Sequence, residues 1–404
     1  MLRFRTAFFL LGAVALLTAC RSHSQPSEAW VGTWATAPQL VEPHNLPPPP
    51  GLAGNTLRQV VRVSLGGRRL RVRFSNAYGS SPLVLKAAHL AQSLGGSAID
   101  PATDRALTFN GQTSVSIPAG EHVVSDPIDY PLQPLSNIAI TLHFGTVPAE
   151  ITGHPGSRTT SYLQSGSAVD AREMPEAVTF ERWYVIHAID VVAPGAAAVV
   201  TLGNSITDGR GSGTNKQNRW PDELARRLQA DPQTRHIAVL NMGIGGNCVL
   251  RQCLGPSALE RFTRDVLDQP GVRWVIVFEG INDIGGAMGG LEGALAVADS
   301  LIAAYRWMIE QAHNRGLRIY GATLLPFEGA FYYTPERELA RQRVNAWIRS
   351  SNAFDGIIDL DAALRDPEHP SRLHPNWDSG DHLHPNEAGH RRIAETVDLR
   401  LFMD

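Results

Sequence analysis

Four short stretches of this chain hold residue types that do chemistry, and each follows an apolar run or immediately precedes a helical pattern. Gly203-Asn204-Ser205-Ile206-Thr207-Asp208-Gly209 sets a serine between glycines. A serine on a sharp strand-to-helix turn can expose its hydroxyl at a sheet edge, as a nucleophile elbow does, although the G-x-S-x-G pattern is absent. The same serine would equally suit a helix N-cap. Asn241-Met242-Gly243-Ile244-Gly245-Gly246-Asn247 carries three glycines in four positions. Such a turn can point an N–H at developing negative charge, or be a phosphate loop or simply a tight turn. A dinucleotide fingerprint does not fit, because G-x-G-x-x-G is not matched.

Glu279-Gly280-Ile281-Asn282-Asp283 offers the amide of Asn282, a neutral donor suited to an oxyanion or to an Asx-turn. Gly380-Asp381-His382-Leu383-His384-Pro385 puts an aspartate three residues before a histidine. That spacing on a tight turn lets the carboxylate bond the imidazole and fix its tautomer. Each segment alone is ambiguous. Together they supply a nucleophile (Ser205), a base (His384), its orienter (Asp381) and oxyanion donors (the backbone of Ser205 and Gly246, the side chain of Asn282), the parts needed for acyl transfer.

The elements that must hold these segments follow from periodicity. From residue 196 onward, apolar runs at 198–202, 237–240, 274–278, 318–322 and 356–358 alternate with helical patterns at 221–229, 257–267, 291–314, 335–351 and 386–401. Continuous apolar strands between helices predict a parallel sheet covered on both faces, with its site at the carboxyl ends of the strands. Pro221 and Pro335 suit first-turn helix positions. Residues 29–193 have a different grammar. Short β-rich runs at 57–64, 70–74, 83–91, 114–117 and 138–144 are separated by turn residues. Closely spaced strands of this kind predict an antiparallel β-sandwich. Gly66-Gly67 reads as a hairpin signal, and Pro47 to Pro50 as a rigid surface stretch.

The 404 residues carry 36 Lys+Arg against 39 Asp+Glu, with 43% hydrophobic and 19% charged residues. That composition fits a globular chain able to bury a core and excludes a largely disordered or collagenous one. The near-neutral charge argues against nucleic acid as a partner.

Arg3 and Arg5 precede a short apolar run that ends in Leu17-Thr18-Ala19-Cys20. A charged start, a short apolar middle and small residues after it read as a secretory signal over 1–19. Residues 20–28 read as a polar tether. Cys248 and Cys253 are expected to be bridged in an exported protein, the alternative being two separate buried thiols. No metal is expected. His382, His384 and His390 lack a matching carboxylate-rich ligand set.

The four segments together resemble the four sequence blocks of the SGNH (GDSL-type) hydrolase superfamily. Arg219-Trp220-Pro221-Asp222-Glu223-Leu224 and the opening Gly32-Thr33-Trp34 are similar to a bacterial subgroup with an N-terminal β domain. The resemblance implies a flavodoxin-like α/β/α domain over 194–404, preceded by a jelly-roll-like antiparallel β-sandwich over 29–193. It implies serine esterase chemistry with no cofactor, through Ser205, His384 and Asp381, with Ser205, Gly246 and Asn282 at the oxyanion. The Leu-Thr-Ala-Cys stretch resembles a bacterial lipoprotein signal. Cys20 would then be lipidated and the protein anchored to the cell envelope, the outer membrane being implied by Arg21 in a Gram-negative host.

One departure is Asn204, where the family usually has aspartate. Leu-His-Pro-Asn occurs twice, at 373–376 and 383–386, but only His384 has a carboxylate three residues before it. His374, Trp377 and Asp378 are expected at the substrate rim. Trp30, Trp34 and Trp183 offer a sugar platform, although core packing is the commoner fate of tryptophan. The expected substrate is a small-molecule or glycan ester, with deacetylation of a carbohydrate first. The alternatives are a lipase, phospholipase or thioesterase on longer chains, or a non-catalytic binding lipoprotein. The activity midpoint is expected near the ordinary histidine value of about 6.5 or above it.

Overall fold

The computed structural model describes residue 2 and residues 29–403. The signal-like segment 1–19, Cys20 and the tether 20–28 lie outside the described residues, residue 2 apart. Among the described residues no helix is long and apolar enough to cross a membrane.

The C-terminal half is built on a five-stranded parallel sheet in the order Ile237–Gly243, Ala197–Gly203, Val272–Phe278, Arg318–Ala322 and Gly356–Ile358. In chain order this is 2-1-3-4-5, the order of one common doubly wound α/β sheet. The central strand Ala197–Gly203 is buried at every position, as its unbroken apolar run requires. The helices Trp220–Ala230, Gly290–Asn314, Pro335–Ser350 and Glu387–Thr396 lie within a residue or two of the 3.6-residue patterns, except at the C-terminus. There the pattern at 386–401 splits. Asn386 caps rather than joins the helix, its Oδ1 accepting from Gly389 N, and Leu399–Phe402 forms a separate 3-10 turn. The pattern at 257–267 likewise becomes Ala258–Phe262 followed by a π turn.

The N-terminal half is antiparallel. One sheet runs Trp30–Ala35, Ile186–Val192, Gly67–Ser75, Ile128–Leu132, and a larger one is centred on Thr56–Arg62, Asn137–Phe144 and Leu83–Gly95. The hairpin expected at Gly66-Gly67 does not form, because the flanking strands Thr56–Arg62 and Gly67–Ser75 belong to different sheets. These glycines serve close approach instead. A Cβ on Gly66 would lie 2.6 Å from the Leu132 carbonyl, and one on Gly67 would lie 2.2 Å from a Val191 methyl.

A third, small sheet pairs Gln39–Leu40, Thr152–His154 and Trp183–Tyr184, and it carries the N-terminal half toward the site. The two halves share one apolar core, in which Val31, Trp34 and Val63 cluster with Leu240, Met242 and Val275. Gly32 N also donates to the Pro270 carbonyl at 2.9 Å. Trp34 and Trp183 are core residues, edge-to-face at 5.2 Å, so neither offers a sugar platform. Trp30 is covered by the Arg71 guanidinium.

Candidate active site

The segment carrying Ser205 leaves the central strand at Gly203 and turns at Asn204. The Asn204 side-chain oxygen accepts from Ile206 N at 3.2 Å, capping the short helix Ser205–Asp208. The Asn204 side chain stands close enough to the buried Glu279 carboxyl, at the end of the neighbouring strand, to oppose the rise in its pKa. Burial pushes the Glu279 carboxyl well up, with Arg261 opposing and Asp283 adding to the rise. An aspartate at 204 would set one more carboxylate in that pocket, whereas asparagine supplies a donor.

Ser205 Oγ lies 2.8 Å from His384 Nε2, although 179 residues separate them in sequence. On the far side of the ring, Nδ1 lies 2.7 Å from an Asp381 oxygen. The second Asp381 oxygen accepts the backbone N–H groups of His384 at 2.9 Å and Leu383 at 3.1 Å. Partial burial works against the charged form of Asp381. These bonds and the imidazole outweigh it and hold the carboxyl down at about 2. His384 is lowered from the ordinary histidine value. Burial is the main cause, the Asp381 carboxylate pulls the other way, and Arg210 and Arg158 add to the lowering. The expectation of a midpoint at or above the ordinary value is therefore corrected, because desolvation of the imidazolium exceeds its attraction to Asp381.

Gly246 stands at φ +70, in the left-handed region that glycine occupies without strain. Its N–H and that of Ser205 have no acceptor among the described residues. The Asn282 side-chain amide donates to the Asn247 carbonyl at 2.8 Å, which fixes its orientation and leaves one N–H free of that bond.

Behind this loop lies a brace that the sequence alone does not reveal. The fully buried Arg261 donates to Asn247 Oδ1, to the Met242 carbonyl and to the Gly203 carbonyl, tying the strand that leads to Ser205 to the turn that carries Gly246. Cys248 and Cys253 are joined by a disulfide, with Cα atoms 5.7 Å apart. The backbone of Val249 and Leu250 inside that clip donates to Asp283.

Ser205, Gly246, Asn282 and His384 line one cleft of about 390 Å³. Its outer wall comes from the N-terminal half, through Gln39, Glu42, Asn45 and Arg158, and its other rim from Leu254, Phe331 and Tyr332. Phe331 is 88% exposed. None of these wall residues was anticipated, because no local pattern marks a side chain whose role depends on a segment over 100 positions away. The three expected rim residues sit elsewhere. His374, Trp377 and Asp378 do not line the cleft. His374 Nδ1 accepts from Asn376 N and its ring lies 6.0 Å from that of Trp377, while Asp378 bonds His382.

His390 is fully buried, its Nδ1 accepting from Trp220 N and its Nε2 donating to the Arg210 carbonyl. Burial lowers it to about 4, so it holds the loop as a neutral ring. Among the described residues there is no group of three metal-ligating side chains.

The arrangement can do acyl transfer: a hydroxyl on an oriented imidazole, beside N–H groups able to hold an oxyanion. In sequence, residues 201–392 match the model of the GDSL-like lipase/acylhydrolase family. No curated protein matches the chain. Among solved structures the chain is similar to an acetylxylan esterase from Geobacillus stearothermophilus, at 24% identity over 50% of this chain and 93% of that one, with a TM-score of 0.38. It is also similar to a GDSL-like lipase from Bacteroides thetaiotaomicron, at 21% identity over 51% and 86%, with a TM-score of 0.35.

Proposed function

We propose that this chain, which belongs to the GDSL-like lipase/acylhydrolase family and is a carboxylic ester hydrolase, works through Ser205, His384 and Asp381 to remove small acyl groups from a carbohydrate. The observation that carries the triad is the unbroken relay from Ser205 Oγ through both nitrogens of His384 to Asp381, at 2.8 and 2.7 Å. His384 accepts the Ser205 proton as Oγ attacks the ester carbonyl. The N–H groups of Ser205 and Gly246 and the amide of Asn282 hold the oxyanion. The alcohol leaves with the proton from His384, and water then repeats the attack on the acyl-enzyme. Replacement of Ser205 by alanine abolishes hydrolysis of an acetyl ester on this account, and undiminished turnover would refute it.

Polar side chains along the outer wall, Gln39, His44 and Asn45, support a hydroxyl-rich alcohol such as a sugar. A second reading has its own support. A neighbouring hollow lined by Leu40, Val41, Pro43 and Leu254 shares Glu42 and Leu254 with the cleft and offers apolar room for a longer acyl chain. Comparing kcat/KM for acetyl and octanoyl esters decides between them. Preference for acetyl supports deacetylation, and preference for octanoyl supports a lipase.

We read residues 29–193 as a two-sheet sandwich whose task is to wall this cleft, and residues 194–404 as the hydrolase domain. The signal-like start supports export with Cys20 lipidated. Incorporation of labelled palmitate, lost in Cys20→Ser, tests the anchor.

A further inference from the structure

The cleft holds two guanidinium groups that form no hydrogen bond to any carboxylate among the described residues. Arg158 enters from the N-terminal half, between the strands Thr152–His154 and Ser161–Gln164. Its backbone stands at φ +50, a region that side-chain-bearing residues adopt uncommonly. The surroundings over-determine that conformation. Asn215 N donates to the Arg158 carbonyl at 2.9 Å, Thr160 N donates to Asn215 Oδ1 at 2.8 Å, and Gln217 Nε2 donates to Thr159 Oγ1 at 3.0 Å. A backbone outlier held by so many contacts beside a reacting group points to a task for the side chain.

That side chain is under-used. Arg158 Nε is buried with no hydrogen-bond partner. Its Nη2 lies 3.8 Å from Asp208 Oδ2, too far for a hydrogen bond. The other Asp208 oxygen is taken by His154 Nε2 at 2.8 Å, and His154 Nδ1 faces the Ala37 carbonyl at 3.0 Å. Arg210, on the loop after the nucleophile helix, lines the same cleft, is exposed, and forms no ion pair among the described residues. The carboxylates that line the cleft are Glu42 and Asp208. Glu42 accepts from the side chains of Gln39 and Asn45, and Asp208 is held by His154. Both arginines stand near enough to His384 to act on its charge.

We infer that Arg158 and Arg210 form a cationic subsite beside Ser205 that receives a carboxylate carried by the ester substrate. A planar guanidinium fork matches a carboxylate in two parallel hydrogen bonds, which is why arginine rather than lysine suits such a task. The inference rests on the serine-esterase reading above and narrows its substrate class. The carboxylate is on the alcohol part in an acetylated uronic acid and on the acyl part in a hemisuccinate.

The test compares kcat/KM on the full chain within two pairs of esters. One pair is an acetylated methyl galacturonide and the matching neutral acetylated methyl galactoside. The other is mono-4-nitrophenyl succinate and 4-nitrophenyl acetate. Wild-type protein is expected to favour one carboxylate-bearing ester over its neutral counterpart by about tenfold or more, a span typical of a charge-assisted contact. The favoured pair identifies where the carboxylate sits. Arg158→Gln and Arg210→Gln should each shrink that ratio, and Arg158→Lys should retain part of it. Because Arg210 is exposed, Arg210→Gln remains a decisive variant even if the strained, half-buried Arg158 position does not tolerate glutamine. No preference in the wild type, or a preference that survives both glutamine variants, overturns the subsite. If a fluorophosphonate still labels Ser205 in that case, the subsite alone has failed. If Ser205 is not labelled, the esterase reading has failed and the subsite falls with it.

Discussion

Asp381–His384 and Asp378–His382 share one loop and one local geometry, with Nδ1 lying 2.7 Å from a carboxylate oxygen in each. They differ in what lies beyond the ring. The His384 side chain is 13% exposed and its Nε2 meets Ser205, whereas that of His382 is 55% exposed and packs against the Gly329 backbone. The carboxylates differ in the opposite sense. Asp381 is 44% exposed and Asp378 only 8%. The other oxygen of Asp378 accepts the N–H groups of Gly380 and His382, the latter in a left-handed turn at φ +61. Both carboxylates brace the turn through backbone N–H groups, and only the Asp381–His384 pair also reaches Ser205. A histidine beside an aspartate is therefore no signature by itself, since the partner of the distal nitrogen decides its role.

The sharpest way to break this comparison is substitution of the two rings. His384→Ala should lower kcat by about 10⁴-fold or more, the scale seen when a triad member is removed. His382→Ala should leave the rate close to wild type and lower the thermal unfolding midpoint instead. Equal losses of rate in the two variants would erase the distinction.

Substituting the carboxylates sharpens it. Asp381→Asn should cost up to about 10⁴ in kcat through the wrong imidazole tautomer. Asp378→Asn should cost about 2 kcal/mol of stability, because a nearly buried acceptor of several N–H groups loses its charge. Denaturant unfolding beside single-turnover kinetics reads both.

Asn282→Ala follows, with an expected fall of about 10²–10³ in kcat and little change in KM. Steady-state kinetics on an acetyl ester checks it.

The pH profile is a gentler probe. The proposed mechanism needs the neutral His384 ring, and burial lowers its pKa. Activity should therefore rise through a midpoint below the ordinary histidine value of about 6.5 and persist into mildly acidic solution. A midpoint above that value would mean that the Asp381 carboxylate outweighs desolvation. The smallest effect is expected from reducing the Cys248–Cys253 clip, about 2 kcal/mol of stability, read by thermal unfolding with and without reductant.

Much of the catalytic half was legible in the sequence because its signals are local. A strand buried on both faces must be apolar throughout, so 198–202 and 274–278 announce themselves within the observed Ala197–Gly203 and Val272–Phe278. The loops that follow carry their chemistry in adjacent residues, as Asp381 and His384 do. Where long-range packing decides, local signals mislead. Gly66-Gly67 looks like a hairpin but lets Leu132 and Val191, on neighbouring strands of its own sheet, approach closely, and two of the three candidate platform tryptophans fill the core. His374, in the same tetrapeptide as His384, has no carboxylate at the right offset and does not line the cleft. Arg158 and the Arg261 brace were invisible for a related reason. A guanidinium on a polar loop or on a helix reads as solvated surface until the carbonyls and carboxylates around it are known.

The central claim is that Ser205 is a nucleophile made reactive by His384. Treatment of the intact protein with a fluorophosphonate, followed by peptide mass mapping, tests it most directly. A single adduct on Ser205, formed at a rate that collapses in His384→Ala, is the predicted result. No adduct, or one on another serine, would contradict it.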